Sequence, residues 1–392
     1  MNKNITLLLT LGTLAWAAPL CAEDSPAVHM ANGIKIGEVT PTSAIVWTRL
    51  TQHPERNIDG KPFPKNVNRE RKSQAIEDLA AMEGSVAGVA GEVRVGIRPS
   101  DSEAPVKFSD WKPVAAGGNF TCQFPLSDLK SEIAYSVVAQ GRSAGGSKPS
   151  CSVDGSFRTA PSAEVPAHVR FTVVTGKDYP RRDDPANGHK IYPLMQELDP
   201  DFFVHTGDIE YYDKPQPYAD NIELARFKWN RLYAMPFQRD FHNRTASYFM
   251  KDDHDTLRND CWPGQSYGDL TWEQGLALFP EQVPMGDKTY RTVRWGKDLQ
   301  VWIVEGRDFR SPNKMPDGPE KTIWGAEQKR WFFETVRKSD ATFRILISPT
   351  PVVGPDRGGK NDNHANTGFT NEGDELRQFI ASPKNLFVVC GD

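Results

Sequence analysis

Four short apolar runs in this chain end in acidic loops. VRFTVVT runs into Gly176-Lys177-Asp178-Tyr179, and DFFVHT into Gly207-Asp208-Ile209-Glu210-Tyr211. SYFM runs into Lys251-Asp252-Asp253-His254-Asp255, and NLFVVC into Gly391-Asp392. Loops that leave the carboxyl ends of strands in an open α/β sheet converge on one crevice. Carboxylates gathered there repel each other unless a cation compensates them. Hard oxygen donors in such number point to metal ions, and to more than one. Glycine before Asp208 and before Asp392 permits the tight turn that aims each carboxylate inward. A single Asp after a strand reads more simply as a helix cap or a turn former. The ordered repetition favours metal binding by the set. Within it His254 is placed to act as a general acid, where a lone histidine would read as structural. Tyr211 alone would likewise read as a packed aromatic.

The elements that must hold these loops are strands alternating with helices from about residue 165 onward, the mark of an α/β layer. Val169–Thr175, Asp201–Thr206 and Ser247–Met250 read as short buried strands. A helix over His189–Leu198 would place Ile191, Leu194, Met195 and Leu198 on one face, and a longer one follows around Asn221–Met235. YRTVRW and LQVWIV make a hairpin that turns at Gly296-Lys297-Asp298. A helix over Gly325–Ser339 leads to strand Phe343–Ser348, and one near Glu372–Ala381 leads to Asn385–Cys390.

The chain before residue 161 reads as all-β. Alternation over Ala44–Thr48 is followed by EVRVGI (Glu92–Ile97), NFTCQFPL (Asn119–Leu126) and IAYSVVAQG (Ile133–Gly141). Asp154–Pro161 has the form of the last strand of a fibronectin- or immunoglobulin-like sandwich. The predicted organisation is a signal peptide over 1–22, a β-sandwich domain over 28–161 and an α/β domain over 165–392. The insert from His53 to Gly91 carries Arg56, Lys61, Lys65, Arg69, Arg71 and Lys72 in its first half. It reads as a solvated loop.

The acidic series, with the elements around it, resembles the PhoD-like alkaline phosphatases within the calcineurin-like metallophosphoesterases. The resemblance rests on Asp178-Tyr179, His205-Thr-Gly-Asp208-x-x-Tyr211, Asp252-Asp253-His254-Asp255 and Gly391-Asp392. Gly296-Lys-Asp-Leu, Glu305-Gly-Arg307 and Gly325-Ala-Glu-Gln328 with Trp331 extend it. It implies a metallophosphatase β-sandwich with flanking helices, preceded by the smaller sandwich. It also implies a secreted phosphatase that hydrolyses phosphate mono- or diesters at a two-metal site, with a metal-bound hydroxide as nucleophile. Asp178, Asp208 and Tyr211 would hold Fe(III), with Asp208 bridging to a second divalent ion, Ca2+ by resemblance. Asp253 stands at a metal-ligand position, Asp392 belongs to the terminal Gly-Asp, and His254 would face the leaving group. Tyr and carboxylate are hard donors that suit ferric iron.

Three positions depart from that pattern. Gly176 stands where the family often has Cys, so no thiolate is offered there. Glu305 replaces an Asp, which leaves Arg307 open between a phosphate contact and a structural ion pair. The sequence stops at Asp392, before the x-His of Gly-Asp-x-His, so the second domain is expected to be cut near its end. His364, in an Asp-Asn-His cluster, is open between a ligand or substrate contact and an exposed loop histidine. A purple acid phosphatase shares Gly-Asp-x-x-Tyr but expects Gly-Asn-His in place of Asp252-Asp253-His254. A non-catalytic metal- or surface-binding module is the rival from another class.

Composition bounds these readings. Lys and Arg number 47 against 51 Asp and Glu, a balance that gives no nucleic-acid-binding signal. A single core rarely grows past roughly 250–300 residues, so 392 residues favour two domains. Lys3 and the apolar run Ile5–Ala18, with Ala22 near the cleavage point, read as a Sec-type signal peptide and place the protein outside the cytoplasm. No later segment is long enough to span a membrane. Cys122 and Cys151 would be free to bridge in an oxidising compartment. The expected partners are small phosphate esters; the oligomeric state is not specified.

Overall fold

The structure, a computed structural model, describes residues 27–64 and 78–392. The expected signal peptide, and Lys65, Arg69, Arg71 and Lys72, lie outside the described residues. In chain order the N-terminal strands are β1 Ile34–Gly37, β2 Ala44–Arg49, β3 Gly91–Pro99, β4 Lys107–Phe108, β5 Lys112–Val114, β6 Thr121–Leu126, β7 Ala134–Arg142 and β8 Cys151–Arg158. Then come β9 Phe171–Val174, α1 Ile191–Glu197, β10 Phe202–His205, α2 Ile222–Tyr233, α3 Pro236–His242, β11 Ser247–Phe249, β12 Ser266–Tyr267, β13 Leu270–Thr271 and α4 Trp272–Gln282. The last part holds β14 Arg291–Trp295, β15 Leu299–Ile303, α5 Gly325–Lys338, β16 Phe343–Ser348, α6 Thr370–Ile380 and β17 Leu386–Cys390.

Two sheets face each other and helices cover their outer sides. The first runs β6-β2-β1-β11-β10-β9 and the second β14-β15-β16-β17. Strands β11, β10 and β9 are parallel, and so are β15, β16 and β17. Successive side chains of a strand point to opposite faces, and β10 shows the consequence. Phe202 and Val204 join the core between the sheets, with Trp295, Val301 and Ile347. Phe203 points the other way, into the core shared with Tyr192, Trp229, Tyr233 and Phe241 of α1, α2 and α3. A third core joins Trp302 and Leu346 to Phe332, Val336 and Leu376 of α5 and α6. This is the expected α/β architecture of two sheets with flanking helices.

The first sheet does not stop at residue 161. β1 pairs in parallel with β11 through Gly37 opposite Ser247, so β6, β2 and β1 continue the sheet that carries the acidic loops. The remaining N-terminal strands form an antiparallel sheet, β4-β3-β7-β8 with β5 on β3, whose Val93, Val95 and Val137 enter the same core.

Helix boundaries follow local chemistry. Asn221 caps α2 by accepting the Leu224 amide at 3.0 Å. The expected long helix ends before Met235, because a residue preceding proline disfavours the helical conformation, and Pro236 then opens α3. α4 was not expected from the sequence, since Gly275 and Pro280 lie inside it; its capping box of Thr271 and Gln274 was the available signal.

Three expectations are corrected. Ile191, Leu194 and Leu198 were expected to face inward, yet all three are about half exposed; the buried residues of α1 are Tyr192 and Met195. The aromatic ring wins the inward place because it fills the space against Phe203 and Phe241, and its hydroxyl accepts from the buried Lys177 at 2.6 Å. Cys122 and Cys151 are free thiols; they lie on β6 and β8 in different sheets, opposite Thr48 and Gly141. The insert is solvated only in part where it is described: His53, Glu55, Ile58 and Asp59 are exposed, whereas Arg56, Met82 and Val86 are buried. Among the described residues no helix is long and apolar enough to cross a membrane.

Candidate metal centre

The loops after β9, β10, β11 and β17 meet at the carboxyl ends of their parallel strands. Gly207 makes a close approach between two of these loops. Its φ is +107°, and a Cβ there would lie 2.7 Å from Asp252 Cβ and 2.8 Å from the Asp252 amide. Only glycine lets the Asp208 loop sit against the Asp252 loop. Asp208 follows in the left-handed region at φ +54°, where Asp and Asn are the tolerated non-glycine residues. Asp255 ties the two loops together: its carboxylate accepts the Ile209 amide at 2.9 Å and the Asp252 amide at 2.6 Å. Burial pushes the Asp255 carboxyl up to about 7.

Asp208, Asp253 and His254 each offer one donor atom, and these atoms lie within 4.8 Å of one another. Tyr211 joins them by donating its hydroxyl to Asp208 Oδ2 at 3.1 Å. Its ring lies 4.4 Å from that of His254. Asp208 Oδ1 and Asp178 Oδ1 are buried with no hydrogen-bond partner among the described residues. Burial first, then the charges of Asp253, Asp252 and Asp255, push Asp208 well above the ordinary carboxylate range. Burial and Asp208 likewise push the Tyr211 phenol up. Buried oxygen donors left without partners and crowded by like charge are the environment a hard cation relieves. The residues present therefore fit a metal.

Asp178 and Tyr211 line one side of a cavity of about 310 Å³, with Lys177, Arg181, His189 and Lys214. Asp178 stands outside the three-donor cluster. So does Asp392, whose carboxylate is held by Arg357 at 3.1 Å and Lys360 at 2.5 Å.

The structure shows the ion pair, one of the two readings left open for Arg307, and corrects the expectation of an exposed loop for His364. Arg307 has no exposed surface and its Nε donates to Asp252 Oδ1 at 2.5 Å. A second guanidinium nitrogen lies 3.8 Å from Asp253 Oδ2. It is the ion-pair partner of the acidic loop, with no surface for a phosphate. Glu305, beside it, takes Lys251 and the amides of Arg307 and Asp308. His364 is neither exposed nor at the centre: it is fully buried, bonded to Glu372 at 2.8 Å and edge-on to Trp324.

Sequence reasoning missed Asp213. Its Oδ1 lies 2.6 Å from His254 Nδ1, and its Oδ2 accepts the Asn259 amide at 2.9 Å. Burial alone would lower His254, but Asp213 and the neighbouring Asp253 hold it above its ordinary value. Burial alone would raise Asp213, and His254 holds it below the usual carboxylate range. The only sequence signal was an Asp two residues past Tyr211, in a loop already crowded with acids.

Comparison with known proteins gives a family and a shared fold. A model of the PhoD-like phosphatase family matches residues 171–392. A solved structure of PhoD is similar over 96% of this chain and 73% of its own, with 16% identity and a TM-score of 0.71. A purple acid phosphatase isolated from yellow lupin (Lupinus luteus) seeds is similar over 86% of this chain and 53% of its own, with 13% identity and a TM-score of 0.51. At these identities the two structures share the fold alone. No curated protein matches the sequence. With the family model spanning more than half of the chain, over all four acidic strand ends, the chain belongs to the PhoD-like phosphatase family.

Proposed function

We propose that the chain is an extracytoplasmic phosphatase that hydrolyses phosphate mono- or diesters at a two-metal site. Asp178, Asp208, Tyr211, Asp253 and Asp392 would hold the ions, a ferric ion and a second divalent ion, calcium. The observation that carries the reading is the convergence of Asp208, Asp253 and His254 beside buried carboxylate oxygens that have no partner among the described residues. When bound, the ions supply a nucleophile at neutral pH and positive charge for the phosphoryl oxygens. The export half of the reading rests on the apolar run Ile5–Ala18.

The protein's own groups do the rest. Asp213 takes the Nδ1 proton of His254 in a hydrogen bond, which leaves Nε2 to carry a proton to the leaving alkoxide. Lys251 and Arg307 offset the negative charge of the loop that bears Asp253 and His254. The cavity lined by Asp178 and Tyr211 would take the ester group.

The test is phosphate release from p-nitrophenyl phosphate and bis-p-nitrophenyl phosphate, with bound metal assayed in the same sample. A folded, metal-loaded protein that cleaves neither sinks the proposal. Asp213→Asn is expected to lower kcat by about 10–100-fold, because orienting partners of site residues contribute on that scale. KM and thermal stability should change little. A variant within twofold of the parent in kcat would show that Asp213 does not set the proton on His254.

A further inference from the structure

We propose that Arg56 and Glu83, from the insert between β2 and β3, are positioning residues for the loop that carries Asp178. The inference rests on the metal-site reading above and adds the N-terminal half of the chain to the site's machinery. The contacts are specific, and Arg56 and Tyr179 are buried while Glu83 is partly so. Arg56 Nη1 donates to the Tyr179 hydroxyl at 3.2 Å and to Glu83 Oε1 at 3.3 Å. Its Nη2 donates to the carbonyls of Pro185 at 3.0 Å and Ala186 at 2.9 Å. Tyr179 in turn donates to Glu83 Oε1 at 2.6 Å. Arg56 is 6% exposed and Tyr179 2%.

Tyr179 is the residue after Asp178, so fixing its ring fixes the backbone that aims the carboxylate. The guanidinium groups of Arg182 and Arg231 lie 4.0 and 4.1 Å from the centre of that ring. At the far end of the loop, His189 bonds the Asp178 carbonyl at 3.2 Å and Gln238 at 2.7 Å. Residues 178–189 are thus pinned at both ends and in the middle.

The insert is itself shaped for this contact. Its two arms bond each other, Gly84 amide to Asn57 carbonyl at 2.7 Å and Glu83 amide to Lys61 carbonyl at 2.9 Å. That pairing sets Arg56 and Glu83 side by side. Gly84 has φ +84°, and a Cβ there would lie 3.1 Å from the Tyr179 hydroxyl and 3.2 Å from Arg231 Cδ. A glycine is placed where the backbone passes closest to the clamp. Three of the four acceptors of Arg56 belong to the loop that carries Asp178.

The test uses the full chain with Arg56→Ala and Tyr179→Phe, the second removing only the hydroxyl. In the metal-free protein, amide hydrogen exchange over 178–188 should speed up at least tenfold in both variants while the sheet amides stay protected. Ferric ion, which Asp178 would help to hold, should bind about 10–100-fold more weakly in competition with a chelator, and excess ferric ion should restore turnover, which a folding defect would not allow. Exchange and ferric-ion affinity both equal to wild type in Tyr179→Phe and Arg56→Ala would overturn the proposal. If the wild type binds no metal, the metal-site reading falls, while the exchange arm still decides whether the clamp orders the loop.

Discussion

Replacing Asp208 by Asn is expected to abolish turnover while making the metal-free protein more stable. Asn keeps an oxygen to accept the Tyr211 hydroxyl, which now lies 3.1 Å from Asp208 Oδ2. Asn is also tolerated in the left-handed conformation that this position adopts at φ +54°, so the fold should persist. What is lost is one negative charge at the centre of the donor cluster. Loss of at least 10³-fold in turnover of bis-p-nitrophenyl phosphate is expected, which is about 4 kcal/mol. The opposite sign holds for stability without metal. The Asp208 carboxylate is buried and repelled by Asp253, Asp252 and Asp255, and removing its charge relieves both costs. A gain of ~1 kcal/mol would raise the Tm of chelator-treated protein by about 2–4 °C. In saturating metal the order should reverse, because only the wild type retains the full ligand set. A variant with the same Tm order in both conditions would show that Asp208 meets no cation.

The second large effect is on stability. Arg307→Met keeps the volume of the side chain but leaves Asp252 as an unpaired carboxylate with 1% exposure. Breaking a buried pair by removing one partner costs about 3–5 kcal/mol, and here Asp253 loses a neighbouring cation as well. Urea unfolding of Arg307→Met should therefore show a loss of that size. Arg307→Lys should recover part of it, since an ammonium restores charge but not the guanidinium's second nitrogen near Asp253. A change below about 1 kcal/mol in Arg307→Met would mean that the pair is not what offsets the acidic loop.

The parts of the site that were legible in the sequence are those written in short segments. A strand and the Asp that follows it occupy fewer than ten residues, and four such segments in order were enough to place Asp178, Asp208, Asp253 and Asp392 at strand ends. The alternation of those strands with helices indicated an α/β layer, while the two-sheet layering was implied by the family resemblance. What could not be read is long-range. Asp213 meets His254 across 41 positions, and Arg56 meets Tyr179 across 123; neither pair has a spacing rule. The inward face of α1 was misread because a stripe of Ile191, Leu194, Met195 and Leu198 satisfies the helical period as well as one of Tyr192 and Met195 does. The choice between the two stripes was made by packing against Phe203 and Phe241. Arg307 and His364 looked like site residues because their types suit phosphate and metal, and only burial separates them from it.

The most direct test of a metal-dependent phosphatase is the turnover of bis-p-nitrophenyl phosphate before and after chelation, with metal content measured on each sample. Activity is expected to fall to background when the metal is removed and to return when ferric and calcium ions are restored. Undiminished turnover in protein shown to contain no metal would contradict a metal-dependent reaction.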